Sequence, residues 1–391
     1  MQALIEQFKS KLELTPTKFL REHHNQINWD CRIIGILGQK GVGKSTLILQ
    51  HIKLHDNISE VLYVQADDIY FGAHTILELA KNFYSHGGRI LYVDEIHKYN
   101  NWSHEIKLIY DQVPLLKVVY SGSSILDLEQ GGADLSRRVV QYHLPVWSLR
   151  EFLNLRNGWS LRVSTLQEVL SGKVDFPYGD ERPLKYFEEY LHKGCYPFFI
   201  ELEFEARLRQ VINTTVSVDI PKYAKMTIAA TQKLKKLMYY LSQSVPVKIN
   251  FSDMERDLNL NRNELPKYLE YLEKAELISI LRMKATGNAI LRKMDKLYLH
   301  NPNIANVLAE NTANTGSIRE SIFLCWARAA KYDVYESPVS DFEINNMTFE
   351  VGGRNKGKKQ IESVTNGYIV KDGIEYAYEN QIPLWMFGFL Y

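Results

Sequence analysis

The chain has 391 residues, which at about 100–200 residues per domain suits two to four domains, each with a core of its own. Lys and Arg number 47 against 46 Asp and Glu, a net charge of +1, so no field of the whole molecule draws it to nucleic acid or to an anionic membrane. Hydrophobic residues make up 45% and charged residues 24%, which excludes a disordered or collagen-like chain.

The N-terminal MQALIEQFKS lacks an apolar signal core, and no apolar run reaches the ~20 residues of a membrane helix. Cys31, Cys195 and Cys325 have no CxxC spacing and read as free thiols, so the sequence predicts a cytoplasmic protein with no membrane partner. Five strand candidates follow: residues 32–37 (RIIGIL), 61–65 (VLYVQ), 89–93 (RILYV), 117–121 (KVVYS) and 139–144 (VVQYHL). Between them TLILQHIKL, TILELAKNFY and HEIKLIYDQ repeat apolar residues at helical spacing. This alternation predicts an α/β core over residues 1–148, a parallel sheet covered by helices.

Residues 149–222 read as a helical lid or extension, with LREFLNL and EARLRQVINTTV separated by the breaker-rich DFPYGDERP. Residues 223–285 read helix, helix, helix, short strand, the order of a winged helix, with Ser252 and Glu255 spaced as a capping box opening its second helix. Residues 286–391 mix strands (VYES, FEINNMTFEV, PLWMFGF) with a helix after Ser317 in an α+β arrangement.

One motif dominates. Gly38, Gln39, Lys40, Gly41, Val42, Gly43, Lys44, Ser45 and Thr46 fit GxxxxGK[ST] between an apolar strand and a helical pattern. Glycines at 38, 41 and 43 let the backbone curl so that N–H groups point at phosphate oxygens, and the helix starting near Lys44 adds its positive dipole end. Lys44 is placed to reach β- and γ-phosphates, and Ser45 to offer a hydroxyl to Mg²⁺. The apolar run ILYV ends in Asp94 and Glu95, a carboxylate for the metal and a base for the attacking water. VLYVQ intervenes between loop and acidic pair and leaves room for an extra strand between them in the sheet, the arrangement of ATPases that hydrolyse with a carboxylate. No NKxD guanine motif occurs, so ATP is the expected nucleotide.

Residues 121–124 (SGSS), with Ser123 among them, read either as a polar patch orienting water or the γ-phosphate or as a plain turn. Arg137 and Arg138 read either as charge stabilisers for the γ-phosphate, in cis or from a neighbouring subunit, or as a solvated basic pair.

GQKGVGKST, LYVDEIHKYNNW, VVYSGSSILDLEQGGADLSRR and YHLPVWSLREFL together resemble prokaryotic AAA-type ATPases of the AAA+ superfamily. The resemblance implies a P-loop core, a winged-helix region and a C-terminal domain related to restriction-endonuclease folds. It also implies that Asp94 and Glu95 are the second phosphate-site motif and that residues 121–124 are the sensor.

An active endonuclease site of that kind needs a helix Glu, a strand acid and an E-x-K. Glu320 fits the helix position, Asp341 and Glu343 the strand, and Glu350 opens the last motif, but Gly352 stands where the lysine belongs. Lys356, Lys358 or Lys359 serve in its place only if the strand bends at Gly352 and Gly353. The winged helix has a net negative third helix, with Glu264, Glu270, Glu273 and Glu276 against Arg262, Lys267 and Lys274, which favours a structural or protein-contact role over a DNA groove. The sequence therefore reads first as a Mg²⁺-dependent ATPase that switches conformation. An ATP-gated scaffold for a protein or nucleic-acid partner and an ATP-coupled nuclease are the alternatives.

Overall fold

The computed structural model describes residues 1–123, 135, 137–179, 181–248, 256, 258, 260, 263–284, 296–309, 314–357, 359–362 and 364–391. It divides into two units, Met1–Pro145 and Val146–Tyr391, a boundary three residues before the expected one.

In the first unit, helix α1 (Gln2–Leu14) and the short α2 (His23–Gln26) precede β1 (Ile33–Gly38). Then come α3 (Lys44–His55), β2 (Val61–Gln65), α4 (Ile76–Ser85), β3 (Ile90–Asp94), α5 (Trp102–Gln112), β4 (Lys117–Ser123) and β5 (Val140–His143). All five strands expected from the sequence are present, in a parallel sheet of order β2-β3-β4-β1-β5. The strand between the phosphate-loop strand and the acidic strand is β4, while VLYVQ lies at the edge. Every residue of β1 is buried, as a strand covered on both faces requires. Gly35 leaves room there for the Tyr120 ring of β4, whose nearest atom would lie 2.7 Å from a Cβ.

Helix α1 was not anticipated, although Leu4, Phe8 and Leu12 recur every four residues and are all buried. Thr75 caps α4 through a complete capping box with Glu78.

The second unit begins with the helix Leu149–Asn157, which the Ser148–Glu151 capping box starts and Gly158 (φ 70°) ends. The helix Ile228–Ser244, β6 (Val247–Lys248), the helix Glu264–Lys274, β7 (Ile278–Leu281) and β8 (Lys296–Leu299) follow, and the three strands pair antiparallel in the order β6-β8-β7. The Ser252–Glu255 cap and Arg262 lie outside the described residues.

The last sheet packs against the helix Thr315–Ala329. It contains β9 (Tyr335–Glu336), β10 (Phe342–Ile344), β11 (Met347–Gly352), β12 (Gly367–Lys371) and β13 (Gln381–Pro383), antiparallel from β9 to β11 and parallel from β11 to β13. Two strand readings change here. FEINNMTFEV is a hairpin, because Asn345 (φ 50°) and Asn346 (φ 61°) take the left-handed turn that Asn tolerates. PLWMFGF is mostly the 3₁₀ helix Leu384–Phe389; its residues are all buried, and a continuous apolar run carries no period to separate strand from helix.

Among the described residues, no helix is long and apolar enough to cross a membrane. Cys195 and Cys325 are buried free thiols and Cys31 is half-buried.

Candidate functional site

The site lies at the C-terminal edge of the first sheet, where β1 runs into the phosphate loop and β3 ends in Asp94. Gly43 precedes α3 with φ 99°, a left-handed conformation that costs a glycine nothing. Gly38 is fixed by space: a Cβ there would sit 2.3 Å from the Leu144 carbonyl oxygen. Gln39, Val42 and Lys44 are buried, whereas Thr46 is exposed. Lys44 Nζ donates to the Gly38 and Gln39 carbonyls, each at 2.9 Å, so the loop holds its own cation in place. Arg21, only 4% exposed, donates to the Val42 carbonyl at 3.2 Å and to the Pro145 carbonyl at 2.9 Å.

Asp94 is 1% exposed and both its oxygens accept hydroxyls: Tyr63 donates to Oδ2 at 2.5 Å and Ser121 to Oδ1. Tyr63 and Ser121 thus hold both oxygens of Asp94 at the acidic strand end. Burial, then the Asp94 charge, pushes the Tyr63 phenol well up and keeps it a neutral donor. Ser121 accepts from the Glu95 backbone N–H at 3.0 Å and thereby fixes the next residue. Glu95 itself is left-handed (φ 53°), a conformation costing a non-glycine ~1–3 kcal/mol. Its Oε2 lies 3.6 Å from His97 Nε2 and 3.8 Å from Lys98 Nζ, and Lys98 also pairs with Asp67 at 2.6 Å.

Ser123 ends β4 opposite Gly38 and donates its backbone N–H to His97 Nδ1 at 3.4 Å. Ser124 lies outside the described residues. Within this chain the arginine pair is not brought to the loop. Arg138 lies before β5, at the N-terminal edge of the sheet, 3.6 Å from Asp111 and over the Tyr110 ring, and Arg137 is exposed beside it. Tyr63 and His97 escaped the sequence reading. The signal for Tyr63 was a phenol within an otherwise apolar buried strand, since a buried hydroxyl needs a partner.

A second constellation lies in the Val146–Tyr391 unit. Glu320, on the helix Thr315–Ala329, accepts from the Tyr298 hydroxyl at 2.6 Å. Lys296 Nζ is 3.8 Å from Glu320 and 3.4 Å from Asp341, and Asp341 also accepts from the Val351 N–H at 2.9 Å. Glu350 is fully buried and held by Ser340 and Lys356. The Lys356 stem crosses the face of Gly352, where a Cβ would meet its Cδ at 2.7 Å. Burial, then the charge of Asp341, raises the Glu320 pKa; burial foremost, with the Glu350 charge, raises that of Asp341. Glu343 stays out of the cluster: two residues along the strand, it faces Thr348 and pairs with Lys284 at 3.3 Å. Lys358 lies outside the described residues.

Residues 30–153 match the family model described as an AAA domain. The match and the sheet order agree on a P-loop NTPase fold of the AAA type. Residues 184–315 match a domain of unknown function, DUF8612. An uncharacterized protein of Methanocaldococcus jannaschii is 23% identical over 289 residues, 68% of this chain and 60% of the relative. The S. cerevisiae Hsp104–ADP complex aligns with 69% of this chain and 39% of its own, at 14% identity and a TM-score of 0.30. The chain thus spans less than two thirds of the length of either protein.

Proposed function

We propose that this protein is a Mg²⁺-dependent ATPase of the AAA type whose turnover serves as a conformational switch. The observation that carries the reading is the arrangement at one edge of a parallel sheet of the loop whose buried Lys44 donates to the Gly38 and Gln39 carbonyls and of the buried Asp94 that ends β3. The residues fit the nucleotide and the metal: Ser45 and Asp94 offer only oxygens, as hard Mg²⁺ prefers, and Lys44 supplies a buried cation for the phosphates. Bound Mg²⁺ supplies neutralisation of phosphoryl charge there. Gly38 to Thr46 wrap the phosphates, Lys44 contacts the β- and γ-groups, and Ser123 orients the γ-phosphate from the end of β4. Glu95 accepts the proton of the attacking water, its backbone set by Ser121. Arg137 and Arg138, at the far edge of their own sheet, suit charge stabilisation only on nucleotide held by another copy. Steady-state ATP hydrolysis by wild type, Lys44→Ala and Glu95→Gln tests the reading. Loss in both variants, with ATP still bound by Glu95→Gln, is expected; equal turnover in all three refutes it.

Within residues 149–391, the division into a helical extension to 222, a winged helix to 285 and an endonuclease-like part to 391 remains a proposal. It is supported by the strand order β6-β8-β7 and by the mixed β9–β13 sheet. A protein partner is the preferred binding target, to be trapped by pull-down with the Glu95→Gln protein in its ATP state. An ATP-gated scaffold with negligible turnover predicts wild-type hydrolysis no faster than that variant.

One observation favours ATP-coupled nuclease chemistry as a second reading: Lys356 brings its ammonium to Glu350 across Gly352, where a lysine side chain was missing from the motif. The divalent ion such a reaction needs would have to displace Lys296 and Lys356 and draw together Glu320, Asp341 and Glu350, whose oxygens do not converge to metal-binding spacing here. Plasmid and single-stranded substrates cut with Mg²⁺ or Mn²⁺ by wild type and Glu343→Ala, but not by Glu350→Ala, would support it. Intact substrates throughout refute it.

A further inference from the structure

The far end of α3 holds a cluster that phosphate chemistry does not use. His51 and His55 are four residues apart and so share one face of the helix, and His24 of α2 packs against both. The ring centroids are 5.2 Å apart for His24 and His51, 5.1 Å for His24 and His55, and 5.2 Å for His51 and His55. One nitrogen from each ring lies within 4.8 Å of the others. His24 and His51 are buried and His55 is exposed, so the cluster opens to solvent on one side. Trp29 stacks on His51 at 3.6 Å between ring centroids and covers another side.

The outward nitrogens of the two buried rings each face an oxygen. His24 Nδ1 lies 3.3 Å from Asn25 Oδ1, and His51 Nε2 lies 3.8 Å from Asp56 Oδ1, while Tyr92 donates to the other Asp56 oxygen at 2.6 Å. The inward nitrogens, His24 Nε2 and His51 Nδ1, share one hydrogen bond at 3.0 Å, and a cation would take the place of the proton between them while Asn25 and Asp56 stand by the outward nitrogens. Burial foremost, then the charges of His24, His55 and Lys117, pushes the His51 pKa down to about 3, so its ring is neutral at physiological pH. The cluster also lies at the C-terminal end of α3, the negative end of the helix dipole.

We propose that His24, His51 and His55 bind a divalent transition ion of the Zn²⁺ class, with water completing the coordination. An all-imidazole donor set suits Zn²⁺, Cu²⁺ or Ni²⁺ and rejects Mg²⁺ and Ca²⁺, so the site is chemically separate from the phosphate site. In a tetrahedral site with Zn–N near 2.0–2.1 Å the donors stand roughly 3.3 Å apart. The His24–His51 pair is already near that spacing, and rotation of the exposed His55 side chain closes the remainder. The ion would clasp the segment that follows Arg21 to the helix that begins at Lys44, holding the Arg21 guanidinium on the loop.

The test uses the full chain, metal-free, with Zn²⁺ or Co²⁺ alone and no nucleotide, so it reads independently of ATPase activity. Calorimetry should give one Zn²⁺ per chain, and Co²⁺ should show the intense visible absorption of a four-coordinate nitrogen site. His55→Ala, an exposed position that leaves the fold intact by circular dichroism, should lower the affinity more than about tenfold, as should His24→Ala. His104→Ala, exposed on α5, should change nothing. Absence of binding by wild type, or equal binding by wild type and His55→Ala, overturns the proposal.

Discussion

Tyr63→Phe isolates the hydroxyl that the edge strand β2 donates to Asp94. The ring keeps its place, stacked on Phe8 at 6.4 Å between centroids, and only the phenolic oxygen is lost. That oxygen donates at 2.5 Å to a carboxylate that is 1% exposed, and hydrogen bonds to charged groups contribute ~1.5–3 kcal/mol. At roughly 2–4 °C per kcal/mol for a unit of this size, the first unit should melt roughly 3–12 °C lower in a circular-dichroism scan. The loss should hold from neutral pH to about 10. The Tyr63 pKa is raised in the folded state, so its contribution is complete below the unfolded value near 10 and fades only as pH rises above it. A double-mutant cycle with Ser121→Ala should show coupling of at least ~0.5 kcal/mol, because both hydroxyls serve one carboxylate. An unchanged melting temperature in Tyr63→Phe, or strict additivity with Ser121→Ala, refutes the joint hold of the two hydroxyls on Asp94.

Glu95→Gln should lower ATP turnover by about 10²–10⁴ while equilibrium ATP binding stays near wild type; parallel loss of binding would contradict its role as base. Gly38→Ala places a methyl 2.3 Å from the Leu144 carbonyl and should cost ~1–3 kcal/mol in urea unfolding, along with nucleotide binding; wild-type behaviour would mean the loop has room to move. Arg21→Met leaves the Val42 and Pro145 carbonyls without their donor and should lower stability by ~2–4 kcal/mol, with Arg21→Lys only partly restoring it. Lys356→Met strips the cation from fully buried Glu350 and should cost about 3 kcal/mol in the unfolding of the second unit, a loss relieved by adding Glu350→Gln.

The first sheet was legible because its strands are short apolar runs with helical patterns between them, and the phosphate loop because its spacing is set by its mechanism. Spatial order was less accessible: that β4 lies between β1 and β3 requires β1 to pair with β4 across more than 80 residues, which local pattern does not encode. Tyr63 was hidden because a tyrosine in a strand reads as core until the carboxylate it serves is brought beside it. In the second unit, Asn345 and Asn346 carried a turn signal that the surrounding apolar residues masked. The substitution of Lys356 for a residue at 352 is a three-dimensional event, and motif spacing cannot represent it.

The grip of Arg21 on Val42 and Pro145 has a mechanical consequence. One guanidinium spans the loop that receives phosphate and the last residue of the first unit, and the neighbouring Leu144 carbonyl lies against Gly38. The position of that loop and the point where the polypeptide leaves this unit are therefore fixed together. The same two points are joined through the sheet as well, where the Leu144 N–H donates to the Leu37 carbonyl at 2.7 Å, so a side chain and the backbone brace the loop in parallel.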